Sequence, residues 1–198
     1  MKKAGVLVTL AGIYLLLTAC VIEDASVLIL DDYGSPHYTP HHLTDTVGQR
    51  HFPLKVRASG HKQFVFDPKV PAWAAYDADG SRVMTGRASG GGDYCEDTNA
   101  SCRTIVGRFK IYKKGSEKCA SGEFPLETSG GAKMPYCMYF FRGFTIHAGY
   151  EFLEGNTSHG CIRVLPSAAK WLNESFATLG TEVIILPYKH AIEDEASV

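Results

Sequence analysis

The 198-residue sequence has no excess of either charge: 20 Lys and Arg stand against 21 Asp and Glu. No basic stripe runs along it, and these two absences argue against nucleic acid as a partner. It also lacks internal repeats and low-complexity blocks, which sets aside repeat arrays. Helical periodicity is scarce, and the cysteines lack the two close pairs that a structural zinc site uses. The length suits one ordinary domain with an appendage and would cramp two. What the chain does have is 45% apolar and 11% aromatic residues, enough to fill a core and to exclude wholesale disorder. Its 20 glycines fit a turn-rich, mainly β chain better than a helical bundle.

Lys2 and Lys3 precede an almost unbroken apolar run from Ala4 to Leu17. The run is too short to span a bilayer comfortably and reads as a secretory signal, residues 1–19. It closes with Leu17-Thr18-Ala19-Cys20, which resembles a bacterial lipobox. On that reading Cys20 is the lipid-attachment site, and several acyl chains anchor the protein stably to a membrane. Val21 after the Cys favours the periplasmic face of the outer membrane in a Gram-negative cell envelope. Residues 20–60 read as a tether and a partly packed N-terminal arm, 61–189 as the main domain, and 190–198 as an acidic tail. Within the arm, His37, His41, His42 and His51 have no fixed spacing and are expected to be solvated or hydrogen-bonded, not metal ligands.

Export changes the reading of the remaining cysteines, because thiols pair in an oxidising compartment. Cys95, Cys102, Cys119, Cys137 and Cys161 are odd in number, so one is left over. Four half-cystines allow three connectivities; proximity favours Cys95–Cys102 and Cys119–Cys137, leaving Cys161 free.

From residue 61 the pattern is β. Gln63 to Phe66, Arg108 to Tyr112 and Glu182 to Leu186 are strand candidates. Ala74 to Asp77 and Arg82 to Thr85 flank Asp79-Gly80, a hairpin signal. Met138 to Phe141 and Phe144 to His147 are joined by Arg142-Gly143. Gly90-Gly91-Gly92 marks a loop. The single helix is expected over Ala168 to Leu179, capped by Ser167 and stopped by Gly180, with Ala169, Leu172, Phe176 and Leu179 on one face.

The chemistry concentrates in Ile146-His147-Ala148-Gly149 and in Ser158-His159-Gly160-Cys161-Ile162-Arg163. A thiol becomes a good nucleophile when an imidazole or a cationic group favours the thiolate, its pKa falling from about 8.5 towards roughly 3.5–7.5. Gly160 permits a sharp turn that aims backbone N–H groups at one point, where an oxyanion can be held. A strand–loop–strand return can bring His147 to Cys161, and Arg163 falls on the same side of an extended segment as the thiol. There Arg163 can hold a substrate carboxylate or support the loop.

These residues resemble the signature of the L,D-transpeptidase (YkuD-type) catalytic domain: a His on a strand, a spacer, then Ser/Thr-His-Gly-Cys, an apolar residue and Arg or Asn. The similarity extends to Gly107-Arg108-Phe109-Lys110-Ile111, Gly143-Phe144-Thr145-Ile146-His147 and Leu179-Gly180-Thr181, covering roughly residues 61 to 188. Thr104-Ile105-Val106-Gly107 lacks the Pro that such domains often carry before the Gly. The resemblance implies a mainly β (α+β), β-sandwich-like fold with one main helix near the C-terminus. It implies a cysteine acyltransferase of peptidoglycan tetrapeptide stems that needs neither metal nor cofactor. Cys161 would be the nucleophile and His147 the base, oriented by the Ala148 carbonyl. Ser158, His159 and Gly160 would support the loop and the oxyanion. The cysteine-rich insert from Cys95 to Cys137 would add a cleft cover that includes Met134-Pro135-Tyr136. Two alternatives stand beside this: a non-catalytic peptidoglycan-binding lipoprotein, and a relative that hydrolyses stems or attaches wall proteins.

Overall fold

The computed structural model describes residues 27–30, 36–39, 46–149 and 155–188. The signal segment, Cys20, His41, His42 and the acidic tail lie outside these residues. The arm holds more regular structure than its sequence suggested: strand β1 (Val27–Leu30) pairs antiparallel with β2 (Pro36–Thr39), and helix α1 spans Thr46–His51. The domain then runs β3 (Gln63–Asp67), β4 (Ala72–Tyr76), β5 (Arg82–Ser89), β6 (Gly107–Lys110), β7 (Lys113–Lys114), β8 (Met138–Phe141), β9 (Phe144–Ala148), β10 (Ile162–Val164), α2 (Pro166–Trp171) and β11 (Glu182–Ile185).

The nine strands from β3 onward form one mixed sheet, ordered β6-β11-β3-β4-β5-β10-β9-β8-β7. Two of its pairings are parallel, β11 with β3 and β10 with β9. The sheet curls until its ends meet. Phe109 on β6 lies 5.7 Å from Phe140 and 5.3 Å from Phe141 on β8, and the Tyr112 N–H donates to the Tyr139 carbonyl at 3.0 Å. The result is the mainly β, sandwich-like fold with one main helix near the C-terminus.

Phe64, Phe66, Trp73, Met138, Ile146, Ile162 and Val183 fill the space inside the curl together with Ala169, Leu172 and Phe176 from the helical segment. Burial of this apolar surface is the main driving force for closing the sheet. Strand β4 reads Ala-Trp-Ala-Ala-Tyr without polar alternation because both its faces are covered. Its second face packs Ala72, Ala74 and Tyr76 against Phe52, which follows α1.

The helix departs from its expected bounds. Pro166 occupies the first turn, so the helix starts before Ser167, and no side chain caps it. A π-helical turn, Leu172–Phe176, follows α2, and Ala177 is extended. Leu179 is consequently outside the helix and 65% exposed. Three acceptors and two donors account for this shape. The buried Asn173 amide reaches the carbonyls of Gly115, Tyr136 and Cys137 at 3.1, 3.1 and 3.3 Å. The terminal carbonyls of Phe176 and Ala177 accept from the ammonium groups of Lys62 and Lys114 at 3.0 and 2.8 Å, satisfying groups the helix leaves open.

Trp73 stacks on Phe64 at 5.5 Å, and a Cβ at Gly86 would sit 2.7 Å from its Nε1 and 2.9 Å from its Cε2. The indole is wedged in the core and cannot yield. Gly86→Ala is therefore expected to destabilise the fold by about 1–3 kcal/mol, read as a lower urea midpoint. An unchanged midpoint would show that the indole has room to move.

Candidate active site

The parallel register of β9 and β10 sets Ile162 beside Ile146, Arg163 beside His147 and Val164 beside Ala148. One step earlier, Cys161 falls alongside Thr145 and diagonal to His147. Side chains alternate in a strand, so Ile146 and Ile162 enter the core while Thr145, His147, Cys161 and Arg163 share the opposite face. The Thr145 hydroxyl donates to Cys161 Sγ at 3.4 Å, and the thiol in turn faces the Gly143 carbonyl at 3.9 Å. Cys161 is partly exposed, whereas His147 is buried.

His147 Nδ1 lies 2.8 Å from the Ala148 carbonyl, which can only accept, so Nδ1 carries the proton and donates it. Among the described residues the lone pair of Nε2 makes no hydrogen bond. Burial pushes the imidazole pKa down to about 4; the charge of Arg163 acts in the same direction and the Ala148 bond opposes it. At neutral pH the ring is uncharged and competent as a base. Among the described residues no hydrogen bond yet joins it to Cys161. Arg163 carries its aliphatic stem over Gly149, where a Cβ would sit 2.7 Å from that of Arg163. Among the described residues no carboxylate pairs with its guanidinium.

The segment before the thiol is held on both sides. Ser158 is buried; its Oγ accepts from the Gly160 N–H at 3.1 Å and donates to the Cys161 carbonyl. Its backbone N–H bonds Gly90 and its carbonyl accepts from Gly92, each at 2.9 Å. Thr104 Oγ1 accepts from the Gly91 N–H at 2.9 Å and donates to the Gly160 carbonyl at 2.8 Å. Asn156 Oδ1 takes the Gly90 N–H. Gly160 has φ +114°, and a Cβ there would strike the Phe144 ring at 2.6 Å, so only glycine fits. With the Gly160 N–H engaged by Ser158, the amides of His159 and Cys161 are the ones that make no hydrogen bond among the described residues. They are the oxyanion donors this loop can offer.

Both disulfides form in the favoured pairing, Cys95–Cys102 and Cys119–Cys137, and Cys161 is free. The two loops they close meet on His159. Its Nε2 lies 2.8 Å from Asp97 of the first loop, and its ring lies 4.6 Å from Phe124 of the second. The His159 side chain thus ties the inserts to the thiol loop. Met134 and Pro135 return beside β9, where the Ala148 N–H donates to the Pro135 carbonyl at 2.8 Å. Ligand atoms of Cys95, Asp97 and His159 lie within 4.8 Å of one another. The Cys95 sulfur is committed to Cys102, so this group offers two ligands, not three. The arm's His51 bonds Asp67 at 2.8 Å, not the thiol. Sequence reasoning missed Thr145, Thr104 and the Gly90–Gly92 cradle; the triple glycine was the one local signal, since a Cβ at Gly91 would sit 1.7 Å from the Cys102 carbonyl oxygen.

The YkuD family, described as L,D-transpeptidase catalytic domain, matches residues 58–185. The chain belongs to this family. Among solved structures it is similar to an L,D-transpeptidase from Xylanimonas cellulosilytica (26% identity, TM-score 0.56), over 69% of this chain and 66% of that one. It also resembles one from Stackebrandtia nassauensis (22%, TM-score 0.53), over 68% and 61%. L,D-transpeptidase 3 from Mycobacterium tuberculosis, solved with a faropenem-derived adduct, matches at 19% identity and TM-score 0.52 over 64% and 60%. The chain thus spans just under two thirds of the length of these structures. No curated protein matches it.

Two outcomes follow from this geometry. Thr104→Val leaves the Gly91 N–H and the Gly160 carbonyl unpaired, and is expected to cost about 2 kcal/mol in urea unfolding. For His147, an unfolded chain binds the imidazole proton below the ordinary 6.5, while the folded site resists it to about 4. The unfolded state holds more protons in that window, so stability falls as pH drops, by about 3 kcal/mol at pH 4. His147→Gln should flatten that dependence in urea titrations at pH 7 and pH 4.5; an equally steep variant would place the titration elsewhere.

Proposed function

We propose that this chain is a cysteine acyltransferase acting on the tetrapeptide stems of peptidoglycan. The observation that carries the reading is one free thiol, beside a buried neutral imidazole, in a domain whose four other described cysteines are oxidised. Cys161 sulfur attacks the carbonyl of the meso-diaminopimelate residue that precedes the terminal D-Ala. Its proton passes to His147 Nε2, and the oxyanion takes the N–H groups of His159 and Cys161. Collapse breaks the amide bond; His147 returns the proton to the departing D-Ala amine, leaving a thioester. The amine of a second stem then attacks the thioester, forming the cross-link and freeing the thiol. Arg163, whose guanidinium pairs with no carboxylate among the described residues, suits the carboxylate of the donor stem. We further place the protein in the cell envelope, attached to the membrane through Cys20 and facing the wall.

A penem is the direct probe of this chemistry, given the faropenem-derived adduct in the mycobacterial neighbour. Intact-mass analysis should show one covalent adduct that vanishes in Cys161→Ala. His147→Ala should slow its formation by about 10²–10⁴-fold. Incubation with disaccharide-tetrapeptide should yield cross-linked dimers and free D-Ala. Trimmed monomers alone would instead identify a carboxypeptidase, and turnover by Cys161→Ala would remove the mechanism.

A further inference from the structure

We infer that Thr145 is a catalytic hydrogen-bond donor to the nucleophilic sulfur, stabilising the Cys161 thiolate as it forms and turning away once the sulfur is acylated. The inference rests on Cys161 being the nucleophile. Thr145 is fully buried on β9, opposite Tyr139 on β8 and alongside Cys161. Its Oγ1 lies 3.4 Å from Cys161 Sγ and 3.8 Å from the Met134 thioether. A hydroxyl has one proton, so it serves one sulfur at a time. Thioethers and neutral thiols accept weakly, whereas hydrogen bonds to an ionised partner are roughly twice as strong. The hydroxyl therefore contributes most when Cys161 carries charge, which is the condition for speeding the step and not merely for binding.

Met134 is the second half of the device. When an acyl group removes the charge from Cys161, the proton can swing to the Met134 sulfur, and no buried donor is orphaned in either state. Tyr139, the other hydroxyl near the thiol, points elsewhere, its oxygen 3.8 Å from Cys119 Sγ. Among the described residues Thr145 is thus the one hydrogen-bond donor to the Cys161 sulfur. No proton is transferred through it: the thiol proton goes to His147, and Thr145 keeps its own. Valine would pack a buried strand position equally well, so the hydroxyl answers to its sulfur partners.

The test is the pH dependence of the reaction of Cys161 with dithiodipyridine, a neutral disulfide, taken as the signal lost in Cys161→Ala. Thr145→Val should move the midpoint of the rate curve up by about one pH unit. Below the midpoint the thiolate fraction falls about tenfold, while the more basic sulfur attacks about threefold faster, a net loss of about threefold. On the high-pH plateau only the gain remains, so the variant should be about threefold faster and the two curves should cross. Thr145→Ser, which keeps the hydroxyl, should restore the original curve. Superimposed curves, a uniform loss without crossing, or a serine variant that behaves like valine would each overturn the inference. The assay does not need stem chemistry: crossing curves in a protein that forms no penem adduct would refute the proposed function and leave the role of Thr145 standing.

Discussion

The parallel pairing of β9 with β10 is the constraint on which the site depends. Parallel neighbours cannot be joined by a tight hairpin, so the chain must leave the sheet after Ala148 and come back before Ile162. That return carries Ser158, His159, Gly160 and Cys161 to the sheet with a register that fixes which side chains meet. A slip of one residue would turn Cys161 into the core and Ile162 out to solvent. The fully buried Ile146, Ile162 and Val164 oppose such a slip, because each would have to leave the core. The hydrophobic interior thereby sets the geometry of the polar face opposite it.

The inserts act on the same return segment from above. His159 receives Asp97 from one disulfide-closed loop and Phe124 from the other, so the thiol loop is braced at a point that the sheet does not reach. The exposed His159–Asp97 pair is worth little by itself. Its significance is positional, since the neighbouring residues Ser158 and Gly160 are fixed from below by Gly90–Gly92 and Thr104. The loop is clamped between a floor of backbone and a roof of inserts. In the proposed reaction such bracing keeps the His159 and Cys161 amides pointed without reorganisation when charge develops.

Much of the site was legible because its residues sit in one motif and because five cysteines, paired where they can be, leave one over. The strands over Met138 to Phe141 and Phe144 to His147 were visible from their apolar content, and the Ala148 carbonyl is next to the imidazole it orients. Thr145 was not visible, since a threonine inside a strand looks like any β-branched residue until the neighbouring strand is placed. Thr104 and Asn156 were hidden for a related reason: their partners lie 56 and 66 positions away. The helix misled in the other direction. Its apolar spacing runs on to Leu179, but Asn173 is drawn to the carbonyls of Gly115, Tyr136 and Cys137, and Lys62 and Lys114 take the Phe176 and Ala177 carbonyls where another helical turn would have continued.

The electrostatics of the face favour a proton that moves late. An imidazole held at about 4 does not share a resting ion pair with the thiol at neutral pH. In the proposed reaction the proton reaches His147 only as the sulfur commits to the carbonyl, and the resulting imidazolium is a strong acid beside the departing amine. The same burial that weakens His147 as a base therefore strengthens it in the second half of the cycle. A base so weak needs help at the sulfur, because among the described residues no lysine or arginine touches the atom where charge develops. The Thr145 hydroxyl supplies that help at the atom where the charge appears, without adding a permanent charge that would push the imidazole pKa lower still.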